Sequence, residues 1–235
     1  MLKVDLHIHS VHSGHGFGTI YDIARDAAAK KMELIAVTDH GPAMQGTITS
    51  ISLELGDRAP RRLEGVRMLW GCEANILNPD GELDVDPLIQ EKLDLILVNI
   101  HEYCGYRDLG IEGNTSAFLR ALRNPNVRII SHLTDCKYPY DWEKVLVSAL
   151  ERGIVSELNL SILKRRPNGI ETNRRMVEIV KHQGARLIVN SDAHFLHEIG
   201  DDRVLRENWD ALGVEEEMLL NNYPADILKW LKVEE

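Results

Sequence analysis

Histidine, glutamate and aspartate side chains recur in this sequence at the ends of short apolar segments. Seven of the ten histidines, one glutamate and one aspartate occupy such a position or the loop that follows it. The nine residues are His7, His9, His15, His40, Glu73, His101, His132, Asp192 and His194. Imidazole nitrogens and carboxylate oxygens bind divalent transition metals, zinc above all. One histidine at a strand end is usually structural, but nine residues in one pattern predict a metal site.

The spacing within two of these segments supports metal binding. His7 and His9 lie two residues apart, so on a strand their side chains share one face about 6–7 Å apart and could converge on one ion. Asp192 and His194 repeat that spacing later in the chain. Asp5 follows the same alternation one step earlier, so we expect its carboxylate to accept a hydrogen bond from a ligand imidazole.

The remaining histidines and the cysteines do not follow this pattern. We expect His182 to be solvated on a helix, and His12 and His197 to lie in loops near the site with at most an accessory role. Three cysteines without CxxC spacing indicate free thiols, the alternative being a thiolate metal ligand. They are Cys72, Cys104 and Cys136.

The apolar segments that would position the nine residues are typical of strands buried on both faces, because they are nearly continuous in Val, Ile and Leu. They are Lys3–His7, Leu34–Thr38, Arg67–Gly71, Leu93–Ile100, Val127–Ile130, Ile154–Leu158 and Ala185–Val189. Helical patterns cover Thr19–Lys31, Asn114–Arg123, Asp141–Arg152, Glu171–Gln183, Asp202–Leu212 and Pro224–Leu231, and Pro42–Gly65 resembles an insertion. This alternation predicts a parallel α/β sheet, either doubly wound or closed into a barrel.

The carboxyl ends of parallel strands are where such folds bind ligands and perform chemistry. Six of the seven predicted strands end in His, Glu or Asp. Residues kept for structural reasons alone would have no cause to follow this rule. The pattern therefore places the predicted metal site at the carboxyl edge of the sheet.

Length and composition exclude several classes of protein. With 235 residues, 44% hydrophobic and 27% charged, the chain is typical of one folded domain, which we expect to span residues 1–235. No apolar run reaches the roughly 18 residues that span a bilayer. The net charge of −10 argues against a nucleic-acid or membrane-surface partner. The start of the chain lacks a signal-peptide pattern, and the cysteines suit a reducing compartment, so we expect a cytoplasmic protein.

Taken together, the motifs resemble the polymerase and histidinol phosphatase (PHP) superfamily. The resemblance rests on DLHIHS at Asp5–Ser10, TDHGP at Thr38–Pro42, GCEANILNPDGELD at Gly71–Asp84 and SDAH at Ser191–His194. It runs through the whole chain and is most like the YcdX-type metal-dependent phosphatases. One departure follows His132, where relatives often have proline and this chain has Leu133, which puts the shape of that loop in doubt.

This resemblance implies a distorted (βα)7 TIM-like barrel with three divalent metal ions at its C-terminal mouth. The implied ligand sets are His7, His9, Glu73 and Asp192 for one ion, Glu73, His101 and His132 for a second, and His15, His40 and His194 for a third. A nitrogen-rich donor set favours zinc, with manganese or iron as alternatives. Three divalent ions outweigh two ligand carboxylates in charge, so the mouth of this acidic protein would attract a polyanion.

The expected activity is hydrolysis of phosphomonoesters by a metal-bound hydroxide, with a small phosphorylated molecule as substrate. The expected catalytic residues are Asp192, Glu73 and His194. Loops at the mouth carry cations that could contact substrate, each of which could equally be solvated surface, namely Arg107, Lys137, Lys164, Arg165 and Arg166. Asn159 and Ser161, at the end of the sixth predicted strand, could offer neutral hydrogen bonds to substrate.

Other functions stay open at this point. A phosphodiesterase or 3′–5′ exonuclease would use the same fold, and an amidohydrolase-like enzyme would cleave C–N or ester bonds with a similar donor set. A metal-storage or structural protein would carry closed four-ligand sites. The sequence does not decide the substrate, the native metal, or whether the protein is a monomer or a homo-oligomer.

Overall fold

Seven parallel strands form the central sheet of this computed structural model, which describes residues 2–47, 50–166 and 168–234. The strands in chain order are β1 (Val4–Ile8), β2 (Leu34–Val37), β3 (Arg62–Leu63), β4 (Val66–Asn75), β5 (Leu95–Asn99), β6 (Val127–Ile130), β7 (Val155–Asn159) and β8 (Ile188–Asn190). The seven pair in the order β1-β2-β4-β5-β6-β7-β8. The short β3 pairs antiparallel with β4 outside that path.

The sheet nearly closes on itself between its first and last strands. A parallel bridge joins Ile8 to Ala193, and the backbone N–H of His9 donates to the carbonyl of Ala193 at 2.9 Å. The backbone N–H of Ala193 donates to the carbonyl of His7 at 3.4 Å, which completes the closure beside the three-residue β8. The fold is therefore a distorted TIM-like barrel, which confirms the prediction and removes the doubly wound alternative.

Helices surround the barrel and close its lower end. They are α1 (Ile20–Ala29), α2 (Ile51–Glu54), α3 (Pro87–Gln90), α4 (Gly110–Ala121), α5 (Trp142–Glu151), α6 (Leu160–Arg165), α7 (Gly169–His182), α8 (Arg203–Glu207), α9 (Trp209–Leu212) and α10 (Pro224–Leu231). At the start of α1, Thr19 and Asp22 form a capping box in which each side chain accepts from the other's backbone N–H. Within the described ranges, no helix combines the length and apolar character needed to cross a membrane.

Helix α6 is the main element that the sequence pattern does not predict, because six residues are too few to show helical periodicity. The side-chain oxygen of Asn159 caps it by accepting from the N–H three residues further on, at 3.0 Å. The helix carries Ser161, which the sequence pattern places at a strand end, and Lys164 and Arg165, which it places on a loop. The predicted helix at Asp202–Leu212 is divided into α8 and α9.

Two apolar clusters pack on the two faces of the sheet. The inner cluster fills the lower half of the barrel and consists of Val4, Leu6, Leu34, Ala36, Leu69, Leu95, Leu97, Ile129, Val155, Ile188, Leu220, Ile227 and Leu231. The outer cluster lies between the strands and the surrounding helices. Because the lower interior is filled with aliphatic side chains, polar chemistry is confined to the upper half.

The register of β1 against β2 slips between Asp5 and Ile8. Leu6 packs in the inner cluster, whereas Ile8, two residues later, packs in the outer one. Strict alternation would place both on one face of the sheet. The slip therefore places His7 and His9 on the inner face and separates them from Asp5.

Candidate metal centre

The predicted donor residues meet at the upper mouth of the barrel. Donor atoms within 4.8 Å of one another form three groups, namely His7–His9–Asp192, His9–His40–His194 and His40–Glu73–His101. His132 joins them through Glu73, with 2.9 Å between its Nε2 and Glu73 Oε1. The fold thus brings into one cluster residues that are almost 190 positions apart in the chain.

The first donor group surrounds the Nε2 atoms of His7 and His9, which lie 3.0 Å apart. Glu73 Oε2 lies 3.2 Å from His7 Nε2 and 3.5 Å from His9 Nε2. Asp192 Oδ1 lies 3.6 Å and 3.3 Å from the same two nitrogens. Ligands of a tetrahedral zinc ion lie about 3.3–3.5 Å from one another, given metal–ligand distances of about 2.0–2.1 Å. The five measured distances among these four atoms, 3.0–3.6 Å, bracket that spacing, so the four atoms are close enough together to share one ion.

A second set of donor atoms, which adds His132 to the Glu73 and His101 of the group His40–Glu73–His101, uses the other oxygen of the same carboxylate. Glu73 Oε1 lies 3.2 Å from His101 Nε2 and 2.9 Å from His132 Nε2, and the two nitrogens are 3.1 Å apart. Three protein ligands leave a fourth position of a tetrahedral ion for water or substrate. Because its two oxygens face different sets of histidine nitrogens, the Glu73 carboxylate could serve as a ligand on both sides.

The group His9–His40–His194 differs from the set of His15, His40 and His194 that the resemblance implied. The ring centroid of His9 lies 4.4 Å from that of His40 and 4.3 Å from that of His194. The exposed His15 ring stacks farther out, 5.0 Å from His40 and 4.6 Å from His194. His40 Nδ1 also lies 3.0 Å from Glu73 Oε2. His9 and His40 thus each belong to two donor groups, whereas the ligand sets that the resemblance implied share only Glu73.

Two buried atoms at the centre of the cluster, Glu73 Oε2 and His40 Nδ1, lie 3.0 Å apart, yet neither makes a hydrogen bond of acceptable geometry with any described residue. Leaving a buried polar atom unsatisfied costs about 1–3 kcal/mol. A cation between them would satisfy both, since each offers a lone pair. The donor set and these two atoms therefore fit a divalent metal site.

Glu157 in β7 orients two of the donors, although the sequence marked it only as a strand end. Its Oε1 accepts from His7 Nδ1 at 2.7 Å, and its Oε2 accepts from the backbone N–H of His132 at 2.7 Å. The side-chain amides of Asn159 and Asn190 each donate to it at 2.9 Å. With its Nδ1 proton held by a carboxylate, the His7 imidazole presents the Nε2 lone pair to the first group.

Similar contacts orient His9 and His194. His9 Nδ1 donates to Ser13 Oγ at 2.9 Å, and that hydroxyl donates to Asp39 Oδ1 at 2.5 Å. His194 Nδ1 lies 3.1 Å from the backbone carbonyl of Asp192, which accepts its proton. In both imidazoles the Nε2 atom is then the one available to a metal.

A series of hydrogen bonds that leads away from the mouth holds the His101 ring. Its Nδ1 donates to Asn75 Oδ1 at 2.7 Å. The backbone N–H of Asn75 donates to Asp84 Oδ1 at 2.8 Å, and its side-chain amide donates to the other oxygen. Asn75 lies two residues after Glu73 on β4, so one strand supplies both a donor and the group that orients another donor.

Asp5 does not orient an imidazole, so that prediction is wrong. Its carboxylate accepts from the backbone N–H groups of Ser191 and Gly200 at 3.1 Å and 3.0 Å, and from that of His7 at 3.3 Å. The register slip in β1 is the physical reason, because it takes Asp5 off the face that carries the ligands. Asp5 instead ties the loop after β8 to β1.

The electrostatics of the cluster keep its carboxylates ionised. Burial alone would raise the pKa of Glu73 and of Asp192, but the surrounding histidines, His7 first among them, together exceed the effect of burial and hold the pKa of both carboxyls well below the usual range. Burial lowers the pKa of His40 to about 4 in spite of the adjacent Glu73. At neutral pH this cluster therefore combines anionic oxygens with a neutral imidazole at His40, as a metal site requires.

A cavity of about 750 Å³ opens above the donor groups. Four of the predicted substrate residues line it, namely Lys137, Ser161, Arg165 and Arg166. Arg107 and Lys164 are not part of its lining, and Lys164 Nζ instead pairs with Asp201 at 3.0 Å. Asn159 is engaged below it, where its amide donates to Glu157 at 2.9 Å and Asp192 at 3.2 Å. This geometry favours a positioning role for Asn159.

The three cations at the rim differ in their partners. Lys137 pairs with Glu102, and Arg166 Nε lies 2.7 Å from Asp135 Oδ1. Arg165 Nε donates only to a backbone carbonyl, and its guanidinium has no carboxylate partner in the part of the chain that the structure describes. Arg165 is therefore the rim cation whose charge is least compensated.

The cysteines and the other histidines lie outside the donor groups formed by the described residues. All three cysteines are free, and burial raises the pKa of the Cys104 thiol to about 12. Its Sγ donates to Asn75 Oδ1 at 3.0 Å. The structure gives no support to a thiolate ligand. His12, His182 and His197 belong to no donor group either.

Comparison with known proteins agrees with this architecture. A profile of the PHP domain family matches residues 5–152. A probable phosphatase of Clostridium botulinum (strain Hall) is 34% identical over 233 residues, covering 97% of this chain and 94% of that protein. A probable phosphatase of Thermoanaerobacter sp. (strain X514) is 36% identical over 232 residues, covering 98% and 95%.

Two solved structures share the fold at low sequence identity. Histidinol phosphate phosphatase of Lactococcus lactis, complexed with zinc, L-histidinol and phosphate, matches with a TM-score of 0.57 and 14% identity over 89% of this chain and 92% of that one. A chain of archaeal ribonuclease P with mature tRNA matches with a TM-score of 0.58 and 13% identity over 97% and 90%. At these identities the likeness concerns the fold alone. The profile match and the relatives of nearly equal length show that this chain belongs to the PHP family.

Proposed function

We propose that this protein hydrolyses small phosphomonoesters at a centre of divalent metal ions in the mouth of the barrel. The enzyme class rests on the relatives: the chain is a phosphatase, since it matches probable phosphatases over nearly its whole length. One observation carries the metal-dependent part of the proposal. The two oxygens of the buried Glu73 carboxylate face two different groups of histidine nitrogens.

Zinc is the metal we propose, because the donor set is dominated by imidazole, and manganese and iron remain alternatives. The solved fold relative from Lactococcus lactis is a zinc complex with phosphate. Bound divalent ions lower the pKa of coordinated water and offset the charge of a phosphate group. We propose three ions, as the resemblance implies, with His15 completing the outermost set.

The chain's own residues would fix the geometry of the reaction. The proposed catalytic residues Glu73, Asp192 and His194 all line the cavity. Glu157 holds the imidazole of His7 in the tautomer that leaves Nε2 available. Arg165 at the rim would attract the phosphate dianion, since guanidinium pairs readily with phosphate oxygens.

A panel of substrates tests this proposal against its rivals. Purified protein is stripped with a chelator, reloaded with zinc, manganese or iron, and assayed with p-nitrophenyl phosphate, its bis-ester, single-stranded DNA and p-nitrophenyl acetate. We expect turnover of the monoester, lost on stripping and restored by metal. His182→Ala, an exposed histidine outside the donor groups, serves as the matched control for His101→Ala.

Other outcomes identify the rival functions. Diester or DNA cleavage well above monoester turnover would contradict the proposal in favour of a phosphodiesterase or exonuclease. Preference for the acetate ester would indicate an amidohydrolase-like enzyme, and tight metal binding without turnover would indicate a storage or structural protein. The single-domain organisation, the cytoplasmic location and the choice between monomer and homo-oligomer remain predictions, which fractionation and sedimentation would test.

A further inference from the structure

Two phenylalanine rings stack on each other at the rim of the barrel mouth. The planes of Phe17 and Phe195 are within 5° of parallel, and their centroids lie 4.6 Å apart. The two residues are nevertheless 66% and 45% exposed. Burial in the apolar core therefore does not account for this pair.

The pair is attached directly to the candidate metal centre. Phe195 follows the donor His194 and lines the cavity, whereas Phe17 does not line it. The backbone N–H of Phe17 donates to the carbonyl of His194 at 2.9 Å. The carboxylate of Glu198 accepts from the N–H groups of His194 and Phe195 at 2.9 Å and 3.0 Å. The hydrogen bond from its backbone to Glu198 and the stacked ring of Phe17 therefore hold Phe195 in place before any ligand binds.

The rest of the mouth divides by chemical character. The strand order places β5 and β8 on different sides of the barrel, and the loop after β5 carries Tyr103, which lines the cavity and is 74% exposed. The cations Arg165 and Arg166 line the same cavity and follow β7, which lies between β5 and β8 in the strand order. Such a mouth can hold an anion at its base and a flat apolar group at its rim.

We propose that Phe195, backed by Phe17, forms a stacking subsite for a planar aromatic group of the phosphorylated substrate. This inference rests on the proposed function, because a phosphate held at the donor groups fixes where the remainder of the ester extends. The first side chain after His194 is Phe195, and aromatic faces bind flat rings with little dependence on their substituents. The substrate class is therefore a phosphomonoester that carries an aromatic ring, either an aryl group or a nucleobase.

Two phosphonates that are not hydrolysed test the subsite by binding alone. Phenylphosphonate and methylphosphonate share the anion and differ in the ring, and calorimetry on the metal-loaded protein gives both affinities. We expect phenylphosphonate to bind roughly 5- to 150-fold more tightly, the range of one stacking interaction. Phe195→Ala should bring this ratio close to one, Phe17→Ala should lower it less, and Phe195→Tyr should keep it.

A matched control and two substrate pairs complete the test. Tyr21→Ala removes another exposed aromatic ring, 60% exposed and outside the cavity lining, and should not change the ratio. Phenyl phosphate against methyl phosphate, and adenosine 5′-monophosphate against ribose 5-phosphate, show whether the ring is an aryl group or a nucleobase, according to which kcat/KM ratio falls in Phe195→Ala.

The outcomes separate this inference from the proposed function. Equal binding of the two phosphonates by the unmodified protein, or an unchanged ratio in Phe195→Ala, would overturn the stacking subsite while leaving a phosphatase. If neither phosphonate binds and no monoester is turned over, the proposed function fails and the subsite fails with it.

Discussion

The lower and upper halves of the barrel interior are built by the same strands from opposite kinds of residue. Along the inner face, Leu69 is followed by Glu73, Leu97 by Asn99, Val155 by Glu157 and Ile188 by Asn190. All of these side chains are buried. Burial therefore does not distinguish the halves; the lower half gains stability by excluding water, whereas every polar atom of the upper half needs a partner.

The upper half does not meet that need from its own side chains. Glu73 Oε2 and His40 Nδ1 make no hydrogen bond of acceptable geometry within the described residues, and two donor residues have left-handed backbone, His132 at φ +27° and Asp192 at φ +55°. Strained backbone of this kind costs about 1–3 kcal/mol per residue and concentrates at functional sites. Substitutions in the upper half should therefore change metal binding and activity, and substitutions in the lower half should change stability.

The largest loss of activity is expected for Glu73→Gln. Glutamine keeps the size but supplies one oxygen in place of two and no charge, so it serves only one donor group. Replacing a residue that only orients a metal ligand lowers metal affinity or activity by up to about 100-fold. Replacing the proposed ligand Glu73 itself should therefore lower activity by more than roughly 100-fold. The rate and the metal content per chain are the measurements, with the exposed Glu82→Gln as control. Normal metal content and rate in Glu73→Gln would remove the bridging role.

A smaller but distinctive loss is expected for Glu157→Gln. Its amide NH2 would face either His7 Nδ1–H or the N–H of His132, both of which donate to the carboxylate. Loss of such a contact weakens metal affinity or activity by roughly 10- to 100-fold. The visible spectrum of the cobalt-loaded protein reports the donor geometry, which a loss of stability alone would not alter.

The matched control for Glu157 lies at the other end of the barrel. Asn221 is 2% exposed, and its amide donates to the carbonyls of Val4 and Val189 at 2.9 Å and 2.7 Å. Asn221→Ala should lower the thermal stability and leave the cobalt spectrum unchanged. If both variants changed the spectrum equally, Glu157 would have no specific role in positioning the donors.

The sequence predicts the mouth of this barrel better than the contacts that hold it. Residues at predicted strand ends, such as His7 and Asp192, can be recognised as donors because the carboxyl ends of parallel strands meet at one edge of the sheet for any conformation of the loops. Helix α10 is predicted with its observed bounds, since Pro224 begins it and a clear helical pattern follows. The metal roles of the donors remain predictions, and the geometry is the support for them.

What the sequence does not reveal are contacts between distant segments. Alternation along β1 puts Asp5 with His7, and only the register against β2 shows the slip that separates them. Glu157 lies near the end of its strand as the donors do, but its partners come from other segments, His132 from the turn after β6 and Asn190 from β8. A glutamate that accepts four hydrogen bonds and one that binds metal have the same appearance in a single sequence.

A moderate effect on substrate affinity is expected for Arg165→Ala. A hydrogen bond to a charged group contributes about 1.5–3 kcal/mol, and at this exposed rim the lower end applies, so KM should rise about 10-fold. Arg166→Ala should raise KM less, because Asp135 already compensates its charge. Lys164→Ala should leave KM unchanged, since that side chain pairs with Asp201 away from the cavity. Equal effects of the three substitutions would mean that the rim acts only through net charge.

The smallest effect on activity and a large effect on stability are expected for Leu97→Ala. Leu97 is fully buried in the inner cluster, two residues before Asn99 on β5. Truncation of a buried leucine lowers the free energy of unfolding by about 2–5 kcal/mol, because the cavity does not fully collapse. Urea unfolding measures that loss, while kcat, KM and metal content are determined for the folded fraction. Because the donors above are held by their own polar contacts, these three values should match those of the unmodified protein. A loss of metal without a loss of stability would show that the two halves are not independent.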